Sequence, residues 1–491
     1  MLMRHCLLGL ALILTPAALA HDDHSELPHW QEASGWPDRI IATVTAKPQT
    51  GFAATWRTDN QVGRTIAQIV EASPDTRFDL KALTVQANTE SLDLERVPTE
   101  FGDMNSLENV GLGTVHYHSV VFEDLKPDTL YAWRVQGARG NWSEWFQTRT
   151  APETGPIRFV YFGDAQNGIR SHWSRVLRMA YQTAGNADFF LHAGDLVQKG
   201  ESDYNWAEWF EAGSFIHAVI PAIPVPGNHE NITVFDDTGS RERVRTPVWR
   251  AQFTLPEDNS LPETLRESAY RVSWSEDLDV FVVDSARDTF EDQVAWLDAE
   301  LTASTARWKV VSMHHPFFVS SDLHRRNTDL VRQQAFLPLM QRHDVDLVLT
   351  GHVHTYGRMT GLEDGSDFTA RQAGGTPTDV ETVYVLSASG AKNYPVWSEA
   401  PDQQIFGDGQ PDHGRISIDR VAENTPMFQV IDIDGDDLTY TAYTATGLAY
   451  DAFSLTKDET GQKHLIEGPQ AFGDTRYFSN TSEYVDWIDL R

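Results

Sequence analysis

Short runs of apolar residues, separated by turn residues, dominate the chain from residue 37 to residue 150. The clearest of these runs are residues 40–44, 51–57, 65–70, 117–122 and 130–135. They are rich in β-branched and aromatic residues, and their spacing is typical of a β-sandwich. Residues 37–150 are therefore predicted to form an all-β sandwich domain.

From residue 157 the pattern changes, because strand-like apolar runs now alternate with segments whose apolar residues have helical spacing. The helical segments are residues 173–183, 206–212, 290–302 and 332–342. Alternation of strands and helices predicts a layered α/β core. Residues 428–433 and 438–443 return to a strand pattern around the turn at 434–436.

Five short polar clusters each follow an apolar run of this second region. The runs are residues 158–162, 187–191, 223–226, 308–313 and 345–349. The clusters are Gly163-Asp164-Ala165-Gln166, Gly194-Asp195, Gly227-Asn228-His229-Glu230, His314-His315-Pro316 and Gly351-His352-Val353-His354. A single cluster suits an ordinary turn or a hydrogen-bonded core histidine. Five clusters of carboxylate, amide and imidazole groups at successive strand ends predict one shared site for one or two divalent or trivalent metal ions.

The charge balance restricts the partners of the protein. The 491 residues carry a formal net charge of −32, which argues against nucleic acid or an anionic membrane as a general partner. A basic insert after the third cluster leaves a nuclease open as an alternative, and salt-dependent DNA binding would distinguish it. The insert consists of Arg241, Arg243, Arg245 and Arg250.

Residues 1–20 have the pattern of a signal peptide, with Arg4 before a short apolar run and Ala18-Leu19-Ala20 as a cleavage site. The apolar run is too short for a stable membrane anchor, although a retained anchor is the alternative. The only cysteine, Cys6, lies inside this segment, so the mature chain is expected to form no disulfide. We expect a periplasmic or secreted protein with no membrane anchor, whose residues 21–36 form a flexible N-terminus.

The five clusters, in this order, resemble those of the calcineurin-like metallophosphoesterase superfamily. Because a β-sandwich precedes them, the purple acid phosphatase-like branch is the most similar. The resemblance implies a fibronectin III-like N-terminal sandwich over residues 37–150. It also implies an αββα-type metallophosphoesterase domain over residues 156–455 and a C-terminal extension over residues 456–491.

Carried over residue by residue, the resemblance implies a site for two metal ions. Asp164 and His354 would bind the first metal and Asp195 would bridge both. The second metal would be completed by Asn228, His314 and His352.

Other residues are implied to act on the substrate. His229 would protonate the leaving group or stabilise the transition state. His324 would contact the substrate phosphate or be an exposed loop histidine, and Arg358 would contact phosphate or form a structural ion pair. His315 is expected to support the metal ligands.

Two positions depart from the purple acid phosphatase pattern. Gln198 occupies the place of the tyrosine whose phenolate binds ferric iron, so a colourless protein is expected. Gln166 occupies the third position of the first cluster, where its amide oxygen would either bind the first metal or line the pocket. Loss of the phenolate leaves Fe, Zn and Mn open as the bound metals.

The resemblance implies an exported binuclear phosphoesterase, most simply one that hydrolyses small phosphate monoesters by means of a metal-bridging hydroxide. A phosphodiesterase or nucleotidase is the first alternative. A catalytically impaired binding or adhesion protein is the second, because the sandwich domain and Gln198 leave room for it. The oligomeric state is left open.

Overall fold

The computed structural model describes residues 31–100, 109–235, 238–321, 327–362, 377–396, 416–468 and 476–477. Among these residues, no helix combines the length and hydropathy needed to cross a membrane. The predicted signal peptide, with Cys6, and the candidate residue His324 lie outside the described residues.

The N-terminal domain consists of eight strands in two antiparallel sheets. They are β1 Asp38–Val44, β2 Phe52–Asp59, β3 Ile66–Glu71, β4 Leu83–Gln86, β5 Asn88–Asp93, β6 Thr114–Phe122, β7 Leu130–Val135 and β8 Phe146–Arg149. One sheet has the order β1-β2-β6-β5 and the other the order β4-β3-β7-β8. Buried aromatic residues such as Trp56 and Trp133 fill the core between them. The predicted sandwich is therefore confirmed.

The second domain contains seventeen strands and five α-helices among the described residues. The strands are β9 Ile157–Phe162, β10 Phe189–His192, β11 Ala222–Pro224, β12 Asn231–Phe235, β13 Arg241–Arg245, β14 Tyr270–Ser273, β15 Leu278–Val283, β16 Trp308–Met313, β17 Leu347–Thr350, β18 Tyr356–Leu362, β19 Thr378–Leu386, β20 Ile416–Ala422, β21 Met427–Asp434, β22 Asp437–Thr444, β23 Ala449–Lys457, β24 Lys463–Glu467 and β25 Arg476–Tyr477. The helices are α1 Ser174–Ala184, α2 Asp203–Gly213, α3 Pro247–Gln252, α4 Glu291–Ala303 and α5 Asn327–Arg342.

Most of these strands form two sheets that are joined by the pairing of β19 with β24. The first sheet has the order β11-β10-β9-β21-β22-β23-β24, and the second the order β14-β15-β16-β17-β19-β18-β20. Helix α1 packs on β9 and β21, whereas α5 packs on α4 and on β19. This αββα arrangement agrees with the predicted fold class. Strands β23 and β24 carry the first sheet past residue 455, into the segment predicted as an extension.

The two domains are continuous in their hydrogen bonding. Strand β1 runs parallel to β11, with Thr43 opposite Ala222. Next to this pairing, the guanidinium of Arg39 forms a buried ion pair with Asp203, with 2.7 Å between Nη1 and Oδ1. The sandwich is therefore fixed to the edge of the first sheet.

The parallel strands place their following loops at the same edge of the core. Strands β9, β10 and β11 are parallel neighbours in the first sheet, and β16 and β17 are parallel neighbours in the second. The carboxyl ends of these five strands lead directly into the five polar clusters. The fold thus positions side chains from residues 164 to 354 around one location.

Candidate metal centre

Six of the residues that the resemblance implies as metal ligands converge at this edge of the sheets. Asp164 follows β9, Asp195 follows β10, Asn228 follows β11, His314 follows β16, and both His352 and His354 follow β17. Both carboxylates and two of the imidazoles are almost completely buried, whereas Asn228 and His352 are half-buried. Hydrophilic groups buried in this way need strong partners.

Asp195 lies at the centre of the cluster. Its Oδ1 accepts a hydrogen bond from the backbone N–H of His229 at 2.8 Å. Its Oδ2 lies 3.0 Å from Nε2 of His314 and 3.0 Å from Nε2 of Gln166. One carboxylate therefore touches groups from both sides of the site, which is the arrangement that a bridging ligand requires.

Asn228 connects the two histidines on one side of Asp195. Its Oδ1 lies 3.1 Å from Nε2 of His314 and 2.9 Å from Nδ1 of His352. Ligand atoms of Asp195, His314 and His352 all lie within 4.8 Å of one another. Oxygen and imidazole nitrogen atoms this close together suit a divalent cation.

Asp164, Gln166 and His354 form the other side. Nε2 of His354 lies 3.4 Å from Oδ2 of Asp164, and Nε2 of Gln166 lies 3.1 Å from Nε2 of His354. The Oε1 atom of Gln166 is buried without a hydrogen-bond partner. Oε1 of Gln166, which has no hydrogen-bond partner, is therefore a suitable ligand for a second cation between Asp164 and His354.

Backbone contacts set the orientation of two histidines. Nδ1 of His314 lies 2.9 Å from the carbonyl oxygen of Ala193, and Nδ1 of His229 lies 2.5 Å from that of Gln198. A carbonyl oxygen accepts only, so each Nδ1 carries the proton and each Nε2 remains available. This tautomer leaves the Nε2 lone pair of His314 directed at Asp195 and Asn228.

Burial and neighbouring charges shift the pKa values of the two carboxyl groups. Burial raises the pKa of Asp164 to about 7, opposed by His314 and reinforced by Asp195. Burial also acts to raise the pKa of Asp195, but the positive charges of His314 and His229 outweigh it and hold that pKa below its ordinary value. Two buried carboxylates side by side repel one another, and a bound cation removes that repulsion.

Glu230 has a role that the sequence reasoning did not assign. This buried carboxylate accepts hydrogen bonds from the backbone N–H of Asp195 at 2.9 Å and of Gly227 at 2.7 Å. A third bond, at 3.2 Å, comes from the N–H of Val197. Glu230 thus holds the loop after β10 against the loop after β11. Its position directly after Asn228-His229 was the available signal.

Two glycines allow the backbone to approach the carboxylates. A Cβ atom at Gly227 would lie 2.2 Å from Oδ1 of Asp195, and one at Gly351 would lie 2.2 Å from Oδ1 of Asp164. No real Cβ comes this close to an oxygen. The glycine that precedes each ligand is therefore a requirement of the site and not only of a turn.

Arg358 lies in a buried ionic cluster. Its Nε lies 2.7 Å from Oδ2 of Asp451, its Nη2 lies 2.8 Å from Oε2 of Glu467, and its Nη1 lies 3.2 Å from Oδ2 of Asp419. The guanidinium is completely buried. Of the two roles left open by the sequence, these contacts favour the structural ion pair over a phosphate contact.

His315 lies behind the ligands, as the sequence reasoning expected. Its ring centroid is 4.3 Å from that of His352, and its Nδ1 lies 3.0 Å from Oγ of Ser285. The residue is buried and its ring is tilted by 45° against that of a candidate ligand, so it restricts the position of His352.

The basic insert does not form a continuous exposed track. Strands β12 and β13 form a hairpin in which Nη2 of Arg243 donates to the carbonyl oxygens of Asn228 at 2.5 Å and Asn231 at 3.1 Å. Arg245 donates to the carbonyl oxygen of Arg266. Arg250 forms ion pairs with Glu257 and Glu267. These arginines are occupied within the protein, which disfavours the nuclease alternative.

Two family profiles match the chain. The profile described as calcineurin-like phosphoesterase matches residues 157–356, and that of the purple acid phosphatase N-terminal domain matches residues 37–150. Purple acid phosphatase 21 of Arabidopsis thaliana is 26% identical over 244 residues, which cover 49% of this chain and 53% of that protein. An uncharacterized protein of Mycobacterium tuberculosis is 26% identical over 366 residues, which cover 68% of this chain and 63% of that protein. The chain thus spans less than two thirds of the length of these relatives.

Solved structures share the fold. The purple acid phosphatase PPD1 from yellow lupin seeds superposes with a TM-score of 0.64 at 15% identity, covering 87% of this chain and 75% of that one. The structure of PhoD superposes with a TM-score of 0.58 at 13% identity, covering 93% and 96%. At these identities the likeness establishes the architecture alone.

Proposed function

We propose that the protein is an exported, binuclear metal-dependent phosphoesterase that hydrolyses small phosphate monoesters. The proposal is supported by the match of residues 157–356 to the calcineurin-like phosphoesterases and of residues 37–150 to the N-terminal domain of purple acid phosphatases. The observation that carries the proposal is the convergence of five strand-end clusters on Asp195. Export is supported by the signal-like pattern of residues 1–20.

The residues divide between two metal positions. Asp164, His354 and Gln166 would hold one cation, Asn228, His314 and His352 would hold the other, and Asp195 would contact both. Two bound cations supply positive charge that polarises a phosphoryl group and acidifies a water nucleophile. The mixed oxygen and nitrogen donors suit Fe, Zn or Mn, and elemental analysis of the natively purified protein decides among them.

His229 is the group best placed to transfer a proton. Its Nε2 lies 3.8 Å from Oδ2 of Asp195, and its side chain remains 23% exposed, so a substrate can reach it. The bond from Nδ1 to the carbonyl oxygen of Gln198 fixes the ring. A second proton taken up at Nε2 would make the ring an imidazolium, which can give that proton to the oxygen of the departing alcohol.

The proposal is tested by assaying metal-reconstituted protein with 4-nitrophenyl phosphate and with bis(4-nitrophenyl) phosphate. We expect the higher kcat/KM for the monoester. A higher value for the diester would favour the phosphodiesterase alternative. No turnover of either ester by protein that contains its full complement of metal would contradict the proposal and favour the impaired binding protein.

Replacing His229 with asparagine is expected to lower kcat by about 10²-fold to 10⁴-fold for alkyl phosphates, the range typical of a lost general acid. The loss should be smaller for 4-nitrophenyl phosphate, whose leaving group needs no proton. Steady-state kinetics with both esters measures the difference.

His116→Asn is the matched control, because Nδ1 of His116 also binds a backbone carbonyl, that of Val62, but lies in the sandwich domain. This variant should keep the kcat of the unaltered protein. An equal loss for both esters in His229→Asn would contradict the proton-donor role.

A further inference from the structure

A cavity of about 190 Å³ opens beside the candidate metal centre, next to His354. Its walls come from four segments, namely the start of α1, the residues after β17, the loop after β19 and the loop before β21. The cavity is directly attached to the centre, because the loop after β19 donates the N–H groups of Ser389 and Gly390 to the carbonyl oxygen of Asp164, at 2.9 Å and 2.6 Å.

The charge of this cavity is opposite to that of the protein. Asp and Glu account for 71 of the 491 residues, yet none of the residues that line the cavity is acidic. The lining does contain Lys392, Arg175, His172 and His354. A concave surface lined by positively charged side chains concentrates anions.

The two permanent cations are available to a ligand. In the described part of the chain, neither Lys392 nor Arg175 forms an ion pair with a carboxylate. The ammonium of Lys392 lies 5.6 Å from the ring centroid of Tyr394. The acidic residue Glu423 precedes the lining residue Asn424 but does not line the cavity, and its Oε2 accepts a hydrogen bond from the backbone N–H of Val396 at 2.9 Å.

Lys392 lies next to the metal centre. Lys392 and His354 line the same cavity, and His354 is a predicted ligand of the centre. The loop that carries Lys392 also binds the backbone of Asp164 through Ser389 and Gly390. An anion held at Lys392 is therefore close to the metal centre.

We propose that this cavity, the Lys392 pocket, is an anion subsite that binds a second negatively charged group, phosphate or carboxylate, on the leaving group of the phosphate ester. The inference rests on the proposed function, because it places the reacting phosphate at the metal centre. The volume suits a charged group rather than a whole large ligand. Charge-assisted hydrogen bonds from Lys392 and Arg175 would make the preferred substrates doubly anionic.

Binding of non-hydrolysable phosphonates tests the subsite without turnover. Calorimetry on metal-loaded protein compares phenylphosphonate with 4-carboxyphenylphosphonate and 1,4-phenylenediphosphonate. We expect the two ligands with a second anion to bind about tenfold more tightly, the gain typical of a hydrogen-bonded charge. Tighter binding of the diphosphonate identifies phosphate as the preferred second group, and tighter binding of the carboxyphenyl ligand identifies carboxylate.

Lys392→Met and Arg175→Met should each reduce this preference, and the double variant should abolish it. Arg178→Met is the matched control, since Arg178 lies on the same helix but outside the cavity and donates to the carbonyl oxygen of Ser174. Thermal melting checks that each variant is folded.

Equal affinity of the unaltered protein for all three ligands would overturn the subsite, as would a preference that survives in the folded double variant. The two hypotheses fail separately. If the protein binds the doubly anionic phosphonates more tightly but hydrolyses no ester, the subsite is supported and the proposed function is contradicted. If the protein hydrolyses phosphate esters but binds all three phosphonates equally, the proposed function is supported and the subsite is contradicted.

Discussion

Asp195→Asn is expected to lower kcat for 4-nitrophenyl phosphate by about 10³-fold or more, a loss of the size seen when one member of a catalytic unit is removed. The two oxygens of this carboxylate contact the backbone of His229 and the side chains of His314 and Gln166. The amide keeps the shape but loses the negative charge that would be shared between two cations. We therefore expect the metal content, measured by elemental analysis after dialysis, to fall together with kcat.

Asp188→Asn is the control for this experiment. Asp188 precedes the same strand, β10, and its Oδ2 accepts a hydrogen bond from the backbone N–H of Arg158 at 2.8 Å, far from the candidate ligands. An amide oxygen can accept the same bond, so activity and metal content should be retained. If Asp195→Asn keeps both its metal and its turnover, the bridging role of Asp195 is wrong.

Arg358→Met is expected to lower the free energy of unfolding by about 3–5 kcal/mol, the range found when one partner of a buried ion pair is removed. The substitution leaves Asp451, Glu467 and Asp419 in the core without their main counter-charge. Arg420 offsets only part of the loss, because its Nε lies 3.9 Å from Oδ1 of Asp451. Denaturant titration measures the change.

Arg342→Met provides the comparison, since the ion pair of Arg342 with Asp298 is exposed. Loss of this exposed ion pair should lower the free energy of unfolding by no more than about 1 kcal/mol. Measured below the melting temperature of the variant, the KM of Arg358→Met should equal that of the unaltered protein, because a structural ion-pair partner does not contact the substrate. Unchanged stability with a raised KM would return Arg358 to the role of a phosphate contact.

The positions of the candidate ligands could be predicted because each follows an apolar run that had to be a buried strand. Parallel strands end at the same edge, so the order of the five runs was enough to bring Asp164 and His354 together across 190 positions of the chain. The fold class and the resemblance to the calcineurin-like phosphoesterases follow from the same pattern. The matching profiles confirm the resemblance, and the shared architecture confirms the fold class. The roles of the individual ligands remain predictions.

Other features could not be predicted, because tertiary contacts alone determine them. The sequence places Glu230 beside the candidate ligand Asn228, but it does not show that Glu230 binds three backbone N–H groups. It also does not show that Lys392 and Arg175 line one cavity. Strands β4 and β5 were missed for a different reason. They are polar or exposed, as in Leu83, which is 70% exposed, so they lack the alternation that marks a half-buried strand.

The pairing of β1 with β11 makes the sandwich a structural part of the catalytic core. Removing the sandwich would expose the unpaired edge of β11 and leave the buried carboxylate of Asp203 without Arg39 and Arg57. The N-terminal domain is therefore not a detachable targeting module on a hinge. Changes in its outer loops leave these contacts intact, whereas changes on the face that meets β11 and Asp203 would disturb the second domain directly.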